Sequence, residues 1–195
     1  MARPLSLVTP TAPRRRTLLQ VGLASLVLLA LNVAAYLALQ SPAGQQVLDG
    51  MGQWSYLGAF LVMLVANATV IIPIPWPALL IPIAAAAPAL WPVMLASALG
   101  STIGESSAYV IGRAGSSIVE DTRFARWAAR QMTQPWRAGV VLFVLSAPLN
   151  PVFDVAGLLA GAARVPFWIF FVAVLAGRLL RFAVLLQLGL LAGLG

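Results

Sequence analysis

The chain has 195 residues, 61% hydrophobic and only 9% charged, with 12 basic residues against 5 acidic ones and a net charge of +7. That composition lies outside the range of soluble globular domains and indicates an integral membrane protein with room for four to six segments of about 20 residues. With neither Cys nor His present, disulfides, thiolate metal sites and the common transition-metal ligands are excluded, and the arginines, which flank apolar runs, follow the positive-inside rule rather than a nucleic-acid footprint.

Residues 1–17 are polar, contain Pro and end in Arg14, Arg15 and Arg16 before Thr17, which predicts a disordered cytoplasmic tail. RRRTLLQ resembles a twin-arginine export signal. The apolar run behind it, Leu18 to Leu39, has 22 residues, longer than the roughly 7–15 of a signal-peptide core. A retained first span from inside to outside is therefore expected over 18–39, leaving 40–195 as one transport domain. Residues 40–54 carry a single charge, Asp49. They suit an outer-face loop or a short interfacial helix, with Trp54 and Tyr56 at the boundary.

From Tyr56 to Ala89 the chain is apolar but cut by Pro73, Pro75, Pro77, Pro82 and Pro88. The run from Tyr56 to Ile72 is barely long enough to cross. The PIPWP cluster is expected outside helix, because each Pro pushes its predecessor toward an extended conformation. Ala78 to Leu90 is too short to span at about 1.5 Å per residue. These lengths predict a re-entrant hairpin that dips in and returns to the outer side. Trp91 to Ile111 then reads as a full span running inward. On it Ser97, Ser101 and Gly104 form a small-residue face that admits a close neighbour, with Glu105 beside them. Arg113, Arg123, Arg126, Arg130 and Arg137 follow and place the next loop in the cytoplasm. Within that loop Phe124, Trp127, Ala128 and Met132 share one side of VEDTRFARWAARQM, which predicts an amphipathic helix at the inner leaflet; a solvated connecting helix is the plain alternative.

Residues 145–181, LSAPLNPVFDVAGLLAGAARVPFWIFFVAVLAGRLLR, combine properties that a simple span cannot. The stretch is as apolar as a membrane helix, yet Pro148, Pro151 and Pro166 break it and Asp154, Arg178 and Arg181 charge it. Backbone freed by Pro survives at membrane depth only when buried in protein or lining a wet cavity. A charge at that depth marks a functional-site candidate. We read Val140 to Ala163 as a second re-entrant hairpin with PLNP at its break, then a charged span from Pro166 to about Leu188 running back outside. The terminal LLQLGLLAGLG is expected to be mobile or an interfacial turn. Sliding the sequence by 74 residues lays Pro77 on Pro151 and Pro92 on Pro166, and one hairpin on the other. Insertion from opposite faces makes this an inverted repeat, the sequence pointer to a transport site at the midplane. The expected fold is an all-α polytopic membrane protein, with two opposed Pro-broken re-entrant hairpins packed against about three full transmembrane helices and one interfacial amphipathic helix.

The run Pro148, Asn150, Pro151, Phe153, Asp154, Ala156 and Gly157, continued by Val165, Pro166, Phe167 and Trp168, resembles the VTT domain superfamily. That superfamily takes in the bacterial DedA proteins, the Tvp-type (SNARE-associated) Golgi proteins and the vacuole membrane proteins, and the likeness is closest to the last. Gly104 and Glu105, followed by Tyr109 and Arg113, make a second, shorter match. The resemblance covers roughly residues 56–188. It implies two opposed hairpins packed on spanning helices and an activity that moves lipids between leaflets. DedA proteins often carry arginines inside the second hairpin motif where this chain has Ser146 and Asn150, a departure that favours ordinary phospholipid over undecaprenyl phosphate.

With the lipid movement that the resemblance implies, the expected mechanism is a polar groove where the two hairpin tips meet, open sideways so that a headgroup slides through while its tails stay in hydrocarbon. Glu105 and Asp154 are candidate acceptor or proton-carrying groups. Arg178, Arg181 and Arg113 are candidate phosphate donors, and Asn150 is a neutral polar contact. Pro73, Pro75, Pro77, Pro148, Pro151 and Gly157 are expected to shape the hairpins. The bland readings are that Asp154 caps a short helix, that Glu105 pairs with Arg178 or Arg181 as a structural ion pair, and that Arg113 anchors the inner boundary. Expected partners are membrane phospholipids and protons, with no nucleic acid, cofactor or metal, and with no oligomeric state indicated. The expected place is a bacterial plasma (inner) membrane with the N-terminus cytoplasmic. Alternatives are a proton-coupled transporter of a small solute or of undecaprenyl phosphate, and a scaffold that recruits partners through residues 113–137. An enzyme is least expected, because the chain lacks His, Cys, a nucleophile elbow and a Gly-rich phosphate loop.

Overall fold

The fold is given by a computed structural model that describes residues 15–68, 75–114, 127–128, 130–147 and 152–192, with side chains from 26 onward except at 28 and 152–155. Every regular element among these residues is helical: α1 (Arg15–Gln40), α2 (Pro42–Met51), α3 (Trp54–Ala68), α4 (Trp76–Ala86), α5 (Leu90–Arg113), α6 (Pro135–Ser146), α7 (Val152–Ala162) and α8 (Phe167–Leu191).

Several boundaries differ from the sequence expectation, each for a local reason. Arg15, Arg16 and Thr17 belong to α1 rather than to the tail. Residues 42–51 form a helix because Ser41 caps it, its hydroxyl accepting from the Gly44 N–H at 3.2 Å, and because Pro42 occupies the first turn, where its missing N–H costs nothing. The same rule corrects the reading of PIPWP: Pro75 caps α4, and Trp76 and Pro77 are its first turn. Pro73 lies outside the described residues. The end of the chain is also more ordered than expected. Helix α8 continues to Leu191, with Leu186 and Gly189 buried and Gly189 against Ile81 of α4. Of the expected amphipathic helix, most lies outside the described residues; Ala128 and Met132 are buried while Trp127 and Arg130 are exposed.

Helix α5 is the hub. It packs lengthwise on α3, crosses α7 and meets α8, while α6 lies along α8 and α4 touches α1, α3 and α8. The order α3–α4–α5 is repeated as α6–α7–α8. The short helices α4 and α7 have 11 residues each, and the long helices α5 and α8 have 24 and 25. In both sets the first arm packs on the long helix that closes the set. The breaks, residues 69–74 and 148–151, lie outside the described residues.

The core is apolar, but so is much of the exterior, and a few polar groups lie within. Leu57, Leu61 and Val65 of α3, Val140 and Val144 of α6, and Val172, Val184 and Leu188 of α8 face outward, while Ser97, Ser101, Thr102, Glu105 and Arg178 are buried. Contiguous apolar exteriors of this kind mark lipid or partner contact. By length and composition α8 is the one helix among the described residues that passes as a membrane span; at about 37 Å it exceeds a hydrocarbon core of about 30 Å. Helix α5 is nearly as long, and its Ser, Gly and Glu content lowers its hydropathy.

Candidate functional site

Helix α5 presents two different faces. On the first, Ser97, Gly100, Ser101 and Gly104 lie against α3 so closely that a Cβ on Gly104 would sit 2.5 Å from the Leu64 carbonyl oxygen and 2.9 Å from the Ala68 nitrogen. The small-residue face read from the sequence is therefore the contact with α3. Ser97 and Ser101 contribute as small side chains, since their buried hydroxyls make no hydrogen bond among the described residues. Thr102 and Ser106 return their hydroxyls to the carbonyls of Ala98 and Thr102 at 2.7 and 2.9 Å, a common way to satisfy a helix hydroxyl away from water.

The second face carries Glu105, Ala108, Tyr109 and Gly112 toward α7. Glu105 is 2% exposed, and Arg178 of α8, 3% exposed, points Nη2 at its Oε2 from 3.4 Å. Gly157 of α7 completes the enclosure: a Cβ there would be 3.2 Å from Glu105 Oε1 and 3.3 Å from the Ala108 Cβ. A residue foreseen as hairpin architecture thus makes the room in which the carboxylate lies. Three helices from both halves of the repeat surround one buried ion pair. Such a pair holds only if its geometry and further contacts offset the loss of hydration.

Arg181, one turn along α8, is half-buried and holds its guanidinium 5.0 Å from the centre of the Trp76 ring, an attractive cation–π distance. Trp76 in turn meets Phe182 edge-on at 5.9 Å. Pro75 and Pro77 flank that Trp at the head of α4. Arg178 thus meets the carboxylate of α5, and Arg181 meets the head of α4.

Arg113 is elsewhere. It is exposed at the last turn of α5, eight residues from Glu105 and about 12 Å along the axis. Its Nη1 donates to the Tyr109 hydroxyl at 3.1 Å, and that hydroxyl donates to the Val165 carbonyl at 2.7 Å. The Tyr109 ring packs on Phe170 at 4.9 Å and on Phe167 at 5.4 Å. Tyr109 thus ties α5 to the turn between α7 and α8, a structural role that the sequence announced only through the i, i+4 spacing of Tyr109 and Arg113. Asn150, Pro148 and Pro151 lie outside the described residues, as does the side chain of Asp154 within α7.

A family model described as the VTT domain matches residues 72–191, which takes in α4 to α8 and the Glu105–Arg178 pair. The chain belongs to the VTT-domain family. It is a membrane protein of that family, and the resemblance of its motifs to VTT proteins is thereby shown. Among curated proteins it is similar to the Vacuole membrane protein KMS1 of Arabidopsis thaliana, 33% identical over a stretch covering 41% of this chain and 24% of that one. The chain spans about a quarter of the length of this VTT-domain relative. No solved structure matches.

Proposed function

We propose that this VTT-domain chain moves phospholipids between membrane leaflets, along a polar path whose narrowest point is the Glu105–Arg178 pair. The observation that carries the reading is that pair itself, a carboxylate and a guanidinium 3.4 Å apart inside a protein with an apolar exterior. Charges at membrane depth are expensive and are retained for polar or ionic cargo. A lipid phosphate presents the chemistry that competes for Arg178, since phosphate and carboxylate both accept charge-assisted bonds from guanidinium. In this mechanism the headgroup displaces Glu105, Arg181 offers the next donor one turn away, and the acyl tails remain in the bilayer. Asp154 and Asn150, placed by the sequence at the second break, would extend the path, and the two breaks would be re-entrant tips inserted from opposite faces. The host membrane is proposed to be a bacterial plasma membrane with the N-terminus cytoplasmic.

A second reading is favoured by the same carboxylate. A proton on Glu105 would release Arg178, so the site also suits proton-coupled transport of a small solute or of undecaprenyl phosphate. The two readings separate in proteoliposomes carrying a fluorescent phospholipid, with chemical quenching of the outer leaflet at several pH values. The expected result is leaflet exchange well above protein-free vesicles, a dependence on pH, and at least tenfold slower exchange in Glu105→Gln and Arg178→Gln. Exchange at the parent rate in both variants would remove the pair from the mechanism. Solute uptake without lipid exchange would replace the first reading by the second.

A further inference from the structure

We propose that Arg113 and Arg164 together bind the phosphate of an anionic phospholipid at the end of the molecule where α5, α7 and α8 meet, apart from the Glu105–Arg178 pair. Helix α7 ends in a doubly bonded turn, with the Arg164 N–H donating to the Gly161 carbonyl and the Val165 N–H to the Ala160 carbonyl, both at 3.0 Å. That pattern forces the residue after the helix cap into the left-handed region, and Gly is its usual occupant because a Cβ crowds the backbone there. Here it is Arg164, at φ 55°, the one non-Gly residue with positive φ among those described. Its side chain is exposed and engages no carboxylate among the described residues. An arginine is thus held where the backbone favours glycine and where no carboxylate among the described residues accounts for it.

The second arginine is delivered to the same turn by the relay already described. Arg113 donates to Tyr109, and Tyr109 to the carbonyl of Val165, the residue next to Arg164. One Nη of Arg113 is used in this way, and the residue is exposed. Two guanidinium groups around one turn make a donor set suited to a phosphate.

What favours a lipid over a free anion is the ledge beside the turn. Phe167 and Trp168 open α8 with 47% and 67% exposure, and the Phe167 ring is fixed against Tyr109. Exposed aromatics next to arginines are the composition of the headgroup boundary. General anchoring by positive charge would need neither the strained backbone nor the tyrosine relay. The proposal is independent of transport and stands whether or not lipid crosses.

The test uses the full chain in detergent, titrated with dioleoyl phosphatidylglycerol or dioleoyl phosphatidylcholine and read by native mass spectrometry, with glycerol phosphate as a tail-less competitor. Phosphatidylglycerol is expected to be retained at lower concentration than phosphatidylcholine. Arg164→Gly and Arg113→Gln are each expected to weaken its retention about fivefold, as loss of one basic residue at a lipid surface does. Arg164→Gly should not lower the melting temperature, because Gly relaxes the left-handed position, and this separates lost binding from lost fold. Parent-like retention in both variants, equal retention of the two lipids, or displacement by glycerol phosphate at the concentration at which the lipid itself binds would overturn the proposal.

Discussion

Glu105 is held in place by what has been omitted around it as much as by its partner. Gly157 supplies the room, Ala108 lines it, and Arg178 fills the remaining side. The energetic consequence is asymmetric, since a buried charge that loses its counter-charge costs far more than a missing pair. Glu105→Ala is expected to destabilise the chain by about 3–5 kcal/mol, read from unfolding in detergent, and adding Arg178→Met should recover much of that loss. A double variant no more stable than the single one would show that the pair is not coupled in the folded state. The candidacy of Glu105 and Arg178 was legible in the sequence because an apolar run tolerates few charges. Which arginine of α8 faces the carboxylate was not, because Arg178 and Arg181 lie within one turn and only the packing of α8 against both α5 and α4 assigns each to its neighbour.

At the scale of elements, α5 organises the molecule, packing on α3, α7 and α8. Its first face is read directly from spacing, small residues at i, i+4 and i+7 meeting the backbone of α3. Its second face is less visible, because Glu105, Tyr109 and Gly112 differ in chemistry and share only a side of the helix. Tyr109 joins this face to the α7–α8 turn through one hydrogen bond and two ring contacts. Tyr109→Phe keeps the rings and leaves the Val165 carbonyl without its donor. The expected cost is about 1–3 kcal/mol, together with faster hydrogen exchange at residues 163–166, and an unchanged melting temperature with unchanged exchange would deny the tie. The proline rules misled at Pro82, which lies inside α4 rather than breaking the run, and where Pro begins a helix. PIPWP contributes the first turn of α4 because the first N–H groups of a helix need no partner within it.

Across the whole molecule the repeated order of helix, short helix and long helix, with an apolar exterior around a few buried polar groups, is what one expects of a chain dissolved in lipid. The orientation proposed from the arginine distribution puts the chain after Arg113 on the cytoplasmic side and α2 on the other. Because the chain has no Cys, single-Cys probes report this without background. Gln134→Cys is expected to react with a membrane-impermeant reagent only after the inner face is opened, and Gln45→Cys, on α2, from outside in intact cells. Labelling of both from the same face would reject the inverted arrangement, and with it the midplane path.

Composition and periodicity alone determined that this chain lives in a membrane, that it is helical, and that its apolar runs carry a few charges. Those properties are local: hydropathy, backbone breaks and charge placement are written residue by residue. Only the tertiary structure decided that Glu105 meets Arg178, that Arg181 turns instead to Trp76, and that Tyr109 gathers Arg113 and the turn at Arg164 into one place. Each of those depends on the angle and depth at which helices cross, and that is set by close contact at Gly104, Gly157 and Gly161, where removing a side chain lets distant segments touch.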